Sequence, residues 1–75
     1  MAKNKGTGSS VAKVSEISAR SAVGFEDAIN VGIARASKTL RNVHSAWVKE
    51  QRVEVQDGKI TSYQVNMMVT FRLDD

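Results

Sequence analysis

The chain has 75 residues, no cysteine, one histidine and a formal net charge of +3. That length allows one domain, near the size at which a single core barely offsets the entropy of ordering the chain. Disulfides and thiolate metal sites are excluded, and a lone His44 leaves no ligand set for structural zinc, so oligomerisation is the expected source of the missing stability.

The first ten residues, MAKNKGTGSS, are small and polar with nothing to bury, which predicts a disordered basic tail at 1–10 ahead of a domain at 11–75. Lys3 and Lys5 fall in that tail, so the positive balance is weak evidence for a nucleic-acid partner and none is expected. No apolar run is long enough for a membrane span or a signal peptide, which predicts a soluble, cytoplasmic chain with no membrane partner. Val11–Ser18 reads as a strand anchored by Val14 and Ile17, with the imperfect alternation of a bulged or edge strand. A short loop is expected over Ala19–Gly24.

Gly24 is an acceptable N-cap, and Glu26 and Asp27 place negative charge in the first helical turn. Phe25, Ala28, Ile29, Gly32, Ile33, Ala36 and Leu40 recur at helical spacing as one apolar stripe. Gly32 on that stripe predicts close backbone approach to a sheet. Arg35, Lys38 and Arg41 crowd the last turns, where cations meet the negative end of the helix.

Val43–Gln56 is a long valine-rich strand, and Asp57-Gly58 is a strong signal for a two-residue type I′ hairpin turn. Ile60–Leu73 alternates strictly: Tyr63, Val65, Met67, Val69, Phe71 and Leu73 on one face, mostly polar residues on the other. An unbroken hairpin register places Gln51 opposite Gln64, Trp47 opposite Met68, Ser45 opposite Thr70 and Val43 opposite Arg72. One face of the hairpin then holds Val43, Ser45, Trp47, Lys49, Gln51, Gln64, Asn66, Met68 and Thr70. The other should pack Tyr63, Val65, Val69 and Phe71 on Phe25, Ile29, Ile33, Ala36 and Leu40. The fold expected is α+β, in the order β-α-β-β: a three-stranded antiparallel sheet with one helix packed on one face. A hairpin of about 45 Å outreaches a helix of about 24 Å, and the uncovered face carries the only tryptophan. An exposed apolar patch of that kind marks an interface or a ligand site.

The segments GFEDAI and IARASKTLRN, the EQR late in the second strand, and DGKI, YQV and FRL at the end together resemble the dodecins. The resemblance runs from about Lys13 to Asp74 without a gap. It implies a small flavin-binding subunit of a hollow homododecamer in cubic symmetry, with two flavins stacked between symmetry-related tryptophans on the open sheet face. It implies that Gln64, in YQV, hydrogen-bonds the pyrimidine edge of the ring. It also implies that Arg52 and Arg72, in EQR and FRL, contact the phosphate of FMN or a neighbouring ligand. Two departures stand out. The family's tryptophan usually falls where this chain has Ser45, and here it comes at Trp47, about 6.6 Å further along the strand on the same face. Ala19–Arg20–Ser21 replaces the usual Gly-Thr-Ser.

A flat ring with a donor and acceptor edge is held by an aromatic face and a side-chain amide, which Trp47 and Gln64 supply. The sequence contains no Ser/His/Asp, Cys/His or paired-carboxylate arrangement for catalysis, and a ring stacked on both sides is closed to substrate. The expectation is a non-enzymatic flavoprotein that stores or sequesters riboflavin or FMN. Two other readings stay open: a dodecin-like shell that has lost flavin and binds cations or another small ligand, and a basic nucleic-acid module using Lys3, Lys5, Arg35, Lys38 and Arg41.

Overall fold

The computed structural model describes residues 9–73, and most of the expected tail lies outside them. The elements are β1 (Ala12–Ser21), α1 (Phe25–Thr39), β2 (Val43–Gln56) and β3 (Lys59–Arg72). They form one antiparallel sheet in the order β1-β3-β2 with α1 on one face, as the alternation and helical spacing predict. The strand with the strictest alternation takes the centre. Val65, Met67 and Val69 of β3 are fully buried; Val65 and Met67 cluster with Ala28 of the helix, with Ile17, Ala19, Phe25, Ile29 and Ile33 packed around them. The rings of Phe25 and Tyr63 meet edge to face at 5.1 Å. Phe71 and Leu40, expected in the core, are only part-buried, because they lie at the end of the sheet where the helix stops.

Gly32 sits where the helix touches the sheet. A Cβ there would lie 2.6 Å from Met67 Cε and 3.0 Å from Ala19 Cβ, so the close approach predicted for it is present. β1 is longer than expected: Ala19, Arg20 and Ser21 are strand residues, paired with Val65, Gln64 and Tyr63, and not loop. Ser21 explains the continuation. Its Oγ donates to Asp27 Oδ2 at 2.7 Å and accepts from the backbone N–H of Val23 at 2.9 Å and of Gly24 at 3.4 Å. This one buried hydroxyl ties the strand end to the first turn of α1, where the Gly24 cap supplies no side chain. The helix closes at Leu40, whose N–H reaches Ala36 O at 2.8 Å, and Asn42 then turns the chain at φ 61°.

The hairpin turn has positive φ at both central residues, 53° at Asp57 and 76° at Gly58, as a type I′ turn requires. The register beyond it is not unbroken. β3 carries one extra residue at Thr61, and β2 carries one each at Lys49 and His44. Trp47 still faces Met68 and Ser45 still faces Thr70. Between the first two bulges, however, Gln64 pairs with Arg52 and Gln51 with Val65. Past the third, Val43 pairs with Phe71. Gln51 and Val43 therefore lie on the helix side of the sheet, and Arg52 joins the open side. Bulges at these points add local twist to a long ribbon that only β3 supports.

Candidate functional site on the open sheet face

The face away from α1 is built in rows, each with one residue per strand. From the hairpin end these are Gln64 between Arg20 and Arg52, Asn66 between Ser18 and Glu50, Met68 between Glu16 and Trp47, and Thr70 between Val14 and Ser45. Arg72 follows beside Ala12.

A directed line of hydrogen bonds crosses this face. Arg20 Nη2 donates to Gln64 Oε1 at 3.0 Å, Gln64 Nε2 to Asn66 Oδ1 at 3.2 Å, and Asn66 Nδ2 to Glu50 Oε1 at 2.7 Å. It begins on a cation and ends on a carboxylate, so each bond polarises the next in the same sense. The line also settles the orientation of the Gln64 amide. Turned over, its NH₂ would point at the guanidinium and its oxygen at the Asn66 oxygen, losing both contacts. In the orientation held, Gln64 retains one N–H and one oxygen lone pair for a further partner. Lys49, displaced by its bulge, donates to both carboxylate oxygens of Glu16 at 3.3 and 3.4 Å. That bridge spans the central strand beside Trp47, whose surface is 52% exposed.

Of the residues that the sequence points to, Gln64 and Arg52 stand side by side in one row. Trp47 lies two rows away, about 13 Å along the strand, and Ser45 a row beyond it. Arg72 is eight residues from Gln64 on β3, about 26 Å distant, so one subunit does not bring it to the same place. Two participants escape the sequence reading, Arg20 and Glu50, while Asn66 is placed on this face by it but given no part in the site. Extending the alternation of β1 by three residues would have placed Arg20 on this face, in step with Glu16 and Ser18. The register shifts at Thr61 and Lys49 together bring Glu50 there.

A family model described as Dodecin matches residues 11–74. The chain belongs to the dodecin family. A dodecin from Thermus thermophilus is 40% identical over 65 residues, which are 87% of this chain and 94% of that one. The solved dodecin from Streptomyces davaonensis is 42% identical, with a TM-score of 0.83 over 88% of this chain and 97% of its own. That from Streptomyces coelicolor is 29% identical, with the same TM-score over 91% and 97%. The β-α-β-β architecture is thus that of the solved dodecins. Crystal structures of the Thermus thermophilus dodecin include variants in which a tryptophan is replaced by phenylalanine and an arginine by alanine.

Proposed function

We propose that this dodecin is a non-enzymatic, cytoplasmic flavin-binding protein that stores or sequesters riboflavin or FMN in a closed homododecamer. The observation that carries the reading is the uncovered polar face on which Gln64 is held by Arg20 and Asn66, in the same row as Arg52. The pyrimidine edge of an isoalloxazine presents acceptor, donor and acceptor in order. The spare N–H and lone pair of Gln64 match two adjacent members of that set. Trp47 offers an exposed aromatic surface for the ring plane. Because Trp47 and Gln64 lie about 13 Å apart, the ring either runs lengthwise along β3 or takes the tryptophan of one subunit and the glutamine of another. Arg52 serves a phosphate or another anionic group reaching the row of Gln64, and Ser45 and Arg72 line the far end of the face. A ring enclosed in this way is shielded from substrates, which suits holding and not turnover.

The experiment is gel filtration with light scattering and a visible spectrum of the same peak, with and without added FMN. The reading expects a mass of twelve subunits with co-eluting flavin bands. A dodecamer that stays colourless in excess FMN would instead identify a shell without flavin, as Ser45 at the usual tryptophan position would suggest.

A further inference from the structure

The hydrogen bond from Arg20 to Gln64 has a consequence for any ligand that Gln64 touches. A ligand atom that donates to Gln64 Oε1 lies within two hydrogen-bond lengths, about 6 Å, of the Arg20 guanidinium. The charged groups around that point are few. On β1, Glu16 is paired with Lys49, which leaves Arg20 as the cation at the end nearest Gln64. On β2, Arg52 shares the row, Glu50 is bonded to Asn66, and Glu54 stands opposite Ser62. The open-face positions of β3 from Ser62 to Thr70 carry no charge, and α1 packs on the opposite side of the sheet. The row of Gln64 thus presents two guanidinium groups flanking one amide. The acidic side chains stand one row to either side.

We propose that Arg20 is a specificity-determining residue of this site, favouring ligands whose edge against Gln64 is electron-rich or anionic. The inference rests on the flavin reading above. Arg20 acts in two ways. It occupies one lone pair of Gln64 Oε1 and so fixes which end of the amide meets the ligand, and it places a positive charge beside that edge. For a bound isoalloxazine, the charge stabilises the ring deprotonated at the imide N3 and, after reduction, the anionic reduced ring.

Riboflavin is the probe, because it lacks a phosphate that Arg20 or Arg52 would also attract. The parent, Arg20→Gln and Arg20→Lys proteins are each loaded with riboflavin, and the bound ring's absorption is followed as pH rises. Arg20 is exposed, so the variants keep the fold. Deprotonation at N3 is expected about one pH unit lower in the parent than in Arg20→Gln, with Arg20→Lys closer to the parent. At neutral pH the two-electron potential of bound riboflavin should fall by about 30 mV in Arg20→Gln, the equivalent of a tenfold lost preference for the reduced ring. This second reading decides the matter if the assembly dissociates in alkali. Equal midpoints and equal potentials in parent and Arg20→Gln, with riboflavin bound to both, would overturn the role of Arg20 alone. A parent that binds no riboflavin would overturn the flavin reading and this inference together.

Discussion

Gln64 is the residue on which the proposed site turns, since it both contacts its neighbours and has bonding capacity left over. On the flavin reading, its replacement by alanine removes a partner from a polar ring edge that stays shielded, at about 1–3 kcal/mol. Gln64→Ala is therefore expected to weaken riboflavin binding roughly ten- to a hundredfold in a fluorescence titration, with the oligomer unchanged by light scattering. On the same reading Trp47 contributes differently. An aromatic stack is worth about 0.5–1.5 kcal/mol beyond the area that it buries, and it quenches the ring's emission. Trp47→Ala should bind at least as weakly as Gln64→Ala, and the flavin still bound should fluoresce more brightly. Unchanged affinity in Trp47→Ala would make that side chain a packing residue and put the ring over Ser45.

At the level of elements, the helix and the ends of the hairpin were legible because each rests on a local rule: apolar residues at helical spacing, and Asp-Gly in a type I′ turn. The face of Gln64 was legible for the same reason, by the strict alternation of β3, while its role comes from the family resemblance. The row that Arg52 occupies was not, because a bulge depends on the twist that the whole ribbon adopts, and the extra residues at Thr61 and Lys49 turn the side chains of β2 between them to the opposite face. The last residues of β1 were hidden by a hydroxyl whose partners lie beyond the strand. Ser21→Ala removes one donor and one acceptor at a buried position that is 8% exposed. A loss of about 1–3 kcal/mol is expected in denaturant melts. Gly32→Ala tests the contact of helix and sheet. The added methyl meets Met67 Cε, which can swing, and Ala19 Cβ, which is fixed to its strand. Overpacking of about 1–3 kcal/mol should outweigh a gain of about 1 kcal/mol in helix propensity, so the variant should be less stable. A variant more stable than the parent would mean that the helix sits further from β3.

Across the whole molecule, the apolar surface exceeds what one subunit can cover. The helix shields the middle of β3 and leaves a groove on each flank, one along β1 over Ile17, Ala19 and Ala36, the other along β2 over Val43, Ala46 and Val48. Val53, Val55 and Ile60 project beyond it at the hairpin end, with Val55 62% exposed. Copies of the same chain are the expected cover, and light scattering should find no stable monomer at micromolar concentration. The proposed flavin site depends on that assembly if tryptophan and glutamine come from different subunits. The most direct measurement is a titration of riboflavin fluorescence with the purified protein. Quenching that saturates at one flavin per subunit, and is shifted to higher protein concentration in Gln64→Ala, is the predicted result. Riboflavin emission that stays constant in excess protein would contradict it.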